Sequence, residues 1–189
     1  NCRVVYHSVI HPQIREMPHH WSKLKVENIL FDSGLVYTVL QPTAYMQNLL
    51  AYLPAIQNEG ILPVPYPAET RLSMVDLHDL ATVAAKVLTE TGHEFATYEL
   101  VGTGPLTQTA VADTFSQILH RPVEVRPVPL KTWKAEARAK GTEEHIIKTA
   151  VTMFTYYAQS GMVGNPRVLH SLLEKTPTSL ATFISAIIK

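Results

Sequence analysis

Two nearly continuous apolar runs dominate the first part of the chain. RVVYHSVI (residues 3–10) and LVYTVL (residues 35–40) consist mostly of β-branched and aromatic residues. Runs of this length and composition are typical of strands buried on both faces, as in parallel sheets. The segment between them has apolar residues suited to a helix and ends at Ser33 and Gly34, and a glycine is a common helix terminator. The pattern therefore predicts a β-α-β unit.

The chain continues with alternating strands and helices before it becomes mostly helical. Helices are predicted after two good N-cap residues, Asp76 and Thr107, and a third strand is predicted between these helices at residues 97–101. The proline-rich residues 61–70 are expected to form an extended loop that leads into a strand at residues 71–75. The remaining helices are expected at residues 131–140, from a Thr142 cap to Gly161, and at residues 178–188. This pattern predicts an α/β fold with three parallel strands and a helical C-terminal part.

Composition and charge narrow the class of protein without indicating an activity. The chain has 189 residues, of which 46% are hydrophobic and 17% charged, as in globular domains. Its 16 basic and 16 acidic residues cancel, which gives no reason to expect a nucleic-acid partner. No apolar run approaches the roughly 18 residues of a membrane span. The single cysteine, Cys2, is expected to be a bystander in a reducing compartment, so a cytoplasmic location is expected.

The predicted first helix carries a concentrated set of polar side chains. His19, Lys23 and Glu27 follow one another at i, i+4 and i+8 and so fall near one helix face. An imidazole and an ammonium group on one face could offer a proton and a positive charge to one ligand. Spacing alone favours a solvated polar face instead, because most surface charges have no specific partner. The nine histidines form no metal-binding motif on a predicted helix, so no metal is expected.

Two glycine pairs are candidates for a phosphate-binding turn, and neither fits the required pattern. VGTGP (residues 101–105) follows a predicted strand, but Pro105 comes directly after the second glycine and no third glycine follows at the required spacing. GMVGNP (residues 161–166) follows a predicted helix instead of a strand. The residues by themselves therefore give no signal for a dinucleotide.

Four segments in order give the chain a family resemblance. VVYHSVIHP, the stretch from HHWSKLKVEN to LVYTVLQPTAYMQNLL, LSMVDLHDLATVAAKVL, and YELVGTGPLTQTAVADTFSQILHRPV together resemble the NmrA-like atypical short-chain dehydrogenase/reductases. The resemblance implies one partial NAD(P)-binding domain in residues 1–189. Residues 1–102 would be the C-terminal part of a Rossmann-like parallel sheet, and residues 103–189 a mostly helical substrate subdomain.

The resemblance also implies that this chain is only the C-terminal portion of such a protein. The glycine-rich turn that holds the pyrophosphate would precede Asn1, and the start of the chain inside a strand-like run agrees with that expectation. The implied cofactor is NAD(P), with NADP favoured. Because the phosphate-binding turn supplies most of the affinity in such a site, this chain alone is expected to bind the dinucleotide weakly or not at all.

The same resemblance assigns roles to residues near the predicted strand ends. Lys23 matches the family's helix lysine, which donates hydrogen bonds to the cofactor ribose. His19 stands four residues earlier, where other short-chain dehydrogenases have a tyrosine, so His19 and Lys23 are the candidate catalytic residues. An imidazole has a reference pKa of about 6.5 and a phenol about 10, which means that the tyrosine–lysine relay does not carry over unchanged. The expected cofactor-binding residues are His7, Ser8, Lys23, Pro42, Thr43, Ala44 and Tyr45, and the expected substrate-side residues are Tyr45 and Asn48.

Two further positions and three functions complete the expectations. Gln41 stands where an arginine is common in the family, and Glu27 is assigned a structural role. The first function is an NAD(P)H-dependent reductase of a small carbonyl or quinone-like substrate. The second is a non-catalytic NAD(P) sensor that binds a protein partner, which the loss of the tyrosine favours. The third is a degenerate protein without a cofactor, and an unpaired strand edge at residues 3–10 would also allow self-association.

Overall fold

A computed structural model describes residues 3–188, so the expectation for Cys2 lies outside the described residues. Strands and helices alternate as far as the seventh strand, and four helices follow it. In chain order the elements are β1 (Arg3–His7), α1 (Pro18–Asp32), β2 (Val36–Pro42), β3 (Ala44–Tyr45), a 3-10 helix (Met46–Tyr52), α2 (Leu53–Glu59), β4 (Ile61–Val64), β5 (Met74–Val75), α3 (Leu77–Thr89), β6 (Ala96–Leu100), α4 (Gln108–Leu119), β7 (Glu124–Pro127), α5 (Leu130–Ala139), α6 (Glu144–Ser160), α7 (Arg167–Leu173) and α8 (Leu180–Ile187).

These elements form two compact units whose segments are interleaved along the chain. The first unit comprises the described residues up to Gln47 together with Ser73–Gly104 and Val163–Ser179. The second comprises Asn48–Leu72, Pro105–Met162 and the described residues from Leu180. The expected boundary between residues 102 and 103 follows the sequence pattern and stays a prediction. The hydrophobic pattern records local periodicity, so it could not show which distant segments pack together.

The first unit is built on a parallel sheet with the strand order β1-β2-β6. Arg3 of β1 pairs with Val36 of β2, and Thr38 of β2 pairs with Ala96 of β6. The prediction of three parallel strands is therefore confirmed. A second, two-stranded parallel pair joins β3 to β5, and the strand expected at residues 71–75 is limited to Met74 and Val75.

Helix α3 covers the sheet of the first unit and closes its core. The Asp76 carboxylate accepts a hydrogen bond from the backbone N–H of His78 at 2.6 Å, so Asp76 is the N-cap that the sequence predicted. The apolar stripe of α3 then packs against the buried strand residues. The core of this unit contains Leu40, Val75, Leu80, Val83, Val87, Leu100 and Leu169.

The second unit corrects the expectation of a loop at residues 61–70. Residues 61–64 form β4, which pairs in parallel with β7. Pro63 lacks an N–H, but β4 pairs with only one strand in the described sheet, and an edge strand tolerates a proline. Thr107 caps α4 as predicted, because its hydroxyl accepts from the Ala110 N–H at 3.1 Å.

Two features of the C-terminal helices also differ from the sequence predictions. Thr142 was expected to cap α6, but its N–H donates to the Ala137 carbonyl and so belongs to the turn that ends α5. Glu143 is the N-cap of α6. Helix α7 was not predicted, because glycine, asparagine and proline at residues 164–166 precede it and the helix is short. Within residues 3–188, no helix combines the length and the apolar character needed to cross a bilayer.

Candidate active site

Three residues expected at the site meet at the carboxyl ends of β1 and β2. His7 ends β1, and Tyr45 ends β3, the short strand that follows β2. The Tyr45 hydroxyl is 3.2 Å from Nε2 of His7, and the two rings stack with their centroids 6.4 Å apart. Nζ of Lys23, on α1, donates to the His7 carbonyl oxygen at 2.9 Å. We call His7, Lys23 and Tyr45 the strand-end cluster.

The electrostatic environment keeps His7 and Tyr45 uncharged at neutral pH. Partial burial and the nearby Lys23 ammonium lower the pKa of His7. Burial raises the pKa of Tyr45. A neutral imidazole accepts a hydrogen bond at one nitrogen, so the Tyr45 hydroxyl can donate to Nε2 of His7. The pair thus holds a transferable proton between a half-buried phenol and an imidazole that is exposed to solvent.

Lys23 is held in place from two sides. Besides its hydrogen bond to His7, Nζ lies 5.2 Å from the centroid of the Tyr6 ring, a distance at which an ammonium is attracted to an aromatic face. An ammonium group has three donors, and the His7 carbonyl uses one of them. Lys23 can therefore donate further hydrogen bonds to a ligand without losing its anchor.

A buried carboxylate links α1 to both strand ends. Glu27 is 2% exposed, and one of its oxygens accepts a short hydrogen bond from the Ser8 hydroxyl. The side-chain amide of Gln41 donates to both oxygens of Glu27, at 3.0 and 3.1 Å. The Ser8 hydroxyl is therefore committed to the protein, and Gln41 has a partner inside the chain. Sequence spacing placed Glu27 on a polar face and gave no sign of this network.

His19, the other candidate catalytic residue, has a different environment. Its Nδ1 is buried and has no hydrogen-bond partner among the described residues. Its ring meets the edge of the His20 ring at 4.6 Å, and burial lowers its pKa. In the described residues, no hydrogen bond, ion pair or ring contact joins the side chain of His19 to the strand-end cluster.

The remaining expected cofactor residues lie from the last residue of β2 to the first residue of β3. The Pro42 carbonyl accepts from the Ile10 N–H at 2.9 Å, and the Thr43 N–H donates to the Leu100 carbonyl at 3.2 Å. Ala44 is half-buried in β3. The Thr43 hydroxyl is buried without a partner in the described part of the chain. Asn48, expected on the substrate side, is exposed in the 3-10 helix and belongs to the second unit.

An apolar cavity of about 430 Å³ lies between the sheet and α3 in the first unit. His7 is its most polar lining residue, and Leu40 with the exposed Leu77 and Leu88 provides apolar surface. His7 therefore faces both a hydrophobic hollow and the polar contacts of the strand-end cluster. The structure thus brings His7, Lys23 and Tyr45 together and leaves His19 outside their hydrogen bonds.

The residues at the strand ends suit the nicotinamide and ribose of a dinucleotide better than its pyrophosphate. Spare donors on Lys23 and the unpartnered Thr43 hydroxyl suit a ribose and a carboxamide, which are rich in hydrogen-bonding groups. The glycines have packing roles instead. A Cβ on Gly102 would lie 2.7 Å from the Met74 carbonyl oxygen, and one on Gly164 would lie 2.7 Å from the Ile10 side chain. Neither glycine is free to form a phosphate cradle.

A parallel sheet with polar side chains gathered at its carboxyl end is the arrangement of Rossmann-like nucleotide-binding folds. The family model of the NmrA-like family matches residues 3–184. The chain belongs to the NmrA-like family.

Comparison with individual proteins gives the same fold. The chain is 33% identical to an NAD(P)H azoreductase from Xenophilus azovorans over 146 residues, which are 77% of this chain and 48% of that protein. It is 25% identical to quinone oxidoreductase 2 of Escherichia coli K12 over 182 residues, or 96% of this chain and 63% of that protein. The crystal structure of an NADPH-dependent quinone oxidoreductase from E. coli matches with a TM-score of 0.87 and 24% identity, covering 99% of this chain and 68% of that chain. The chain thus spans between about half and two thirds of the length of these relatives.

Proposed function

We propose that this chain is the C-terminal part of an NAD(P)H-dependent reductase that acts on a quinone-like substrate. The observation that carries the proposal is the strand-end cluster, which places a lysine and a neutral tyrosine–histidine pair at the carboxyl end of a Rossmann-like sheet. The names of the relatives agree with it, since one is an azoreductase and another a quinone oxidoreductase. Both names describe reduction of conjugated acceptors.

In this proposal the cofactor supplies the hydride and the protein supplies orientation and a proton. Lys23 holds the ribose with its free donors while its hydrogen bond to the His7 carbonyl fixes its position. The Tyr45 hydroxyl gives a proton to the substrate oxygen. His7, exposed to solvent, then takes up a proton from water and passes it to Tyr45. Addition of one hydride and one proton converts a quinone into a hydroquinone, so the reaction balances.

Tyr45 fits the role of proton donor better than His19. Burial lowers the pKa of His19, so its imidazole is neutral at pH 7 and carries no extra proton to give. The Tyr45 phenol keeps its proton, because burial raises its pKa. Tyr45 also has a hydrogen-bonded neighbour that reaches water, whereas Nδ1 of His19 has no partner in the described residues.

The experiment that tests the function is a turnover assay on the natural protein that contains this chain. NADPH oxidation is followed by absorbance with menadione, a planar quinone, as the acceptor. Lys23→Ala should weaken NADPH binding by roughly 10- to 150-fold, because a charge-assisted hydrogen bond contributes roughly 1.5–3 kcal/mol. Lys25→Ala, an exposed lysine two residues along α1, is the matched control and should bind as the wild type does.

The outcomes separate the candidate functions. Menadione-dependent NADPH oxidation that requires Lys23 supports the reductase. Tight NADPH binding without turnover on quinones, azo dyes or carbonyl compounds contradicts it and favours the sensor. Equal NADPH affinity in Lys23→Ala and Lys25→Ala would remove Lys23 from the site.

For the 189-residue chain on its own, we propose weak dinucleotide binding and self-association. In the two glycine pairs that could have held phosphate, Gly102, Gly161 and Gly164 approach neighbouring atoms closely, and Gly104 is followed at once by Pro105. Strand β1 has one partner in the described sheet, so its other edge presents unpaired backbone groups. Calorimetric titration with NADPH and light scattering test both parts. Micromolar binding by a monomer would contradict them.

A further inference from the structure

Helix α1 carries Lys23 but has little apolar surface to hold it in place. Three of its 15 residues are buried, and two of these, His20 and Glu27, are polar. Leu30 is the third, at 7% exposure. A helix on a protein surface normally packs through a stripe of about three to four apolar residues in every two turns. The position of α1 therefore depends strongly on its polar contacts.

Glu27 makes the largest number of these polar contacts. Its carboxylate accepts a hydrogen bond from the hydroxyl of Ser8, the residue that follows β1. The side-chain amide of Gln41, near the end of β2, donates to both carboxylate oxygens. Ser8 and Gln41 are also buried, so these hydrogen bonds lie away from bulk solvent, where they are electrostatically strongest. Glu27 thus attaches one point of α1 to the ends of two neighbouring strands.

Lys23 lies one turn earlier on the same helix and contacts the adjoining residue of β1. Its ammonium donates to the carbonyl of His7, whereas Glu27 accepts from Ser8. No ion pair joins Lys23 to Glu27 within residues 3–188, so these contacts are separate attachments of α1 to one strand end. Residues four apart on a helix lie about 6 Å apart along its axis. Two attachments at this spacing fix both the axial position and the rotation of the helix, which a single hydrogen bond cannot do.

We propose that Glu27 is a positioning residue of the candidate site, because its carboxylate holds α1 at the strand ends where Lys23 presents its free donors to the nucleotide ribose. This role rests on the proposed reductase function, which assigns the ribose contact to Lys23. A hydrogen bond weakens steeply when its distance or angle departs from the preferred geometry. Loss of the Glu27 attachment would leave the ammonium of Lys23 present but misplaced, and a displacement of about 1 Å can greatly reduce what such a group contributes.

Calorimetric titration with NADPH of the natural protein that contains this chain tests the role. Glu27→Leu removes the acceptor oxygens and should weaken NADPH binding by about three- to tenfold, less than the loss expected for Lys23→Ala. Removal of a negative charge by itself favours an anionic nucleotide, so this fall in affinity cannot arise from net charge. Glu27→Gln keeps an acceptor oxygen for Ser8 and should recover most of the affinity.

A double-mutant cycle distinguishes positioning from general support of the fold. With Lys23→Ala already present, Glu27→Leu should change NADPH affinity by less than about twofold, because the group that Glu27 positions is gone. Leu30→Ala is the matched control, since it removes buried packing from the same helix and leaves the contacts of Glu27 in place. It should lower resistance to urea and keep NADPH affinity within about twofold of the wild type.

Circular dichroism identifies the temperature at which each variant is folded, and titrations are made there. If Glu27→Leu does not fold, Glu27→Asp takes its place. The aspartate keeps the charge but withdraws it from Ser8 and Gln41 by one methylene group, so the same loss of NADPH affinity is expected. That loss should again vanish when Lys23→Ala is present.

The outcomes separate this role from the proposed function. Equal NADPH affinity in Glu27→Leu and Leu30→Ala would overturn the role, even in a protein that reduces menadione. A loss in Glu27→Leu that adds in full to the loss in Lys23→Ala would also overturn it, as would wild-type affinity in Lys23→Ala. A loss that disappears in the Lys23→Ala background upholds the role, also in a protein that binds NADPH without reducing a quinone.

Discussion

The strand-end cluster of the first unit and a group of packed rings in the second use tyrosine in different ways. We call this second group, Tyr66, Trp133, Phe154 and Tyr157, the aromatic cluster. Tyr45 has a titratable partner, because its hydroxyl lies 3.2 Å from His7. Tyr66 has only rings beside it, and its hydroxyl finds no acceptor in the described residues. A tyrosine beside a base can pass on a proton, whereas a tyrosine among rings contributes packing. The difference between the two regions is therefore a difference between proton transfer and packing.

The most direct test of this difference is to remove one tyrosine hydroxyl from each region and compare the kinetics. Tyr45→Phe should lower kcat with menadione by about 10²- to 10³-fold, since a positioned proton donor contributes at least about 10²-fold. Tyr66→Phe, which removes a hydroxyl without a titratable partner, should leave kcat nearly unchanged. Steady-state kinetics of the natural protein measure both. Similar losses of kcat in the two variants would show that the regions do not divide the work in this way.

The pH dependence of stability should come from histidine burial in the first unit and not from the aromatic cluster. Burial lowers the pKa of His20 to about 4, below its value of about 6.5 in an unfolded chain. The unfolded state then binds more protons between these pH values, so stability falls as the pH drops from about 6.5 to 4. The loss from this residue is about 3 kcal/mol over that range.

Urea unfolding at several pH values tests this expectation, with His20→Gln as the comparison. A glutamine amide can still donate to the His11 carbonyl, which His20 Nδ1 contacts at 3.3 Å. The difference in unfolding free energy between wild type and variant should shrink or reverse as the pH falls. A difference that stays constant from pH 7 to pH 4 would show that His20 does not titrate in this range.

The buried carboxylate offers a third test of the polar region. Glu27→Leu leaves the hydroxyl of Ser8 and the amide of Gln41 buried without their partner. We expect a loss of about 2–3 kcal/mol in the free energy of unfolding, because each unsatisfied buried group costs about 1–3 kcal/mol. Asn28→Leu changes an exposed neighbour on α1 and should have little effect. Equal stability of the two variants would show that the network is dispensable.

The smallest effect on turnover is expected from substitution of His19. His19→Phe should lower kcat less than Tyr45→Phe does, because in the described residues no hydrogen bond, ion pair or ring contact joins His19 to the strand-end cluster. Its effect on NADPH affinity should also be small. If His19→Phe removes turnover while Tyr45→Phe retains it, the proton donor is His19, as the sequence alone suggested.

The fold was largely predictable because it follows from local patterns. The apolar runs around Val5 and Val39 correctly predicted strands, although β1 is only half-buried, and Asp76 and Thr107 cap helices by local hydrogen bonds. Strand β4 was not predicted because prolines in and beside it mask the strand pattern. Its partner strand β7 also lies about 60 residues further along the chain, so no local pattern indicates the pairing.

The candidate site was harder to predict because it depends on contacts between distant residues. Lys23 was singled out by family resemblance, but its partner, the His7 carbonyl, is a backbone atom that no side-chain pattern can indicate. Residues four apart on a helix drift by about 40°, so Glu27 is turned by about 80° from His19 and points to the strand ends instead of following it. The same drift explains why a polar face in the sequence contained a buried residue.

The segments of the two units alternate along the chain, so the hydrophobic core of each unit becomes complete only late in synthesis. Leu169 of α7 belongs to the core that strands β1, β2 and β6 begin, so the ribosome makes the strands long before the helix that seals them. The second unit similarly waits for Phe183, which is buried in α8. Neither unit can finish folding before nearly the whole chain has emerged, although domains in most proteins fold one after another from the N-terminus. A ribosome stalled near residue 160 would therefore hold two unfinished cores, and nascent chains of that length should be the ones most easily cut by protease.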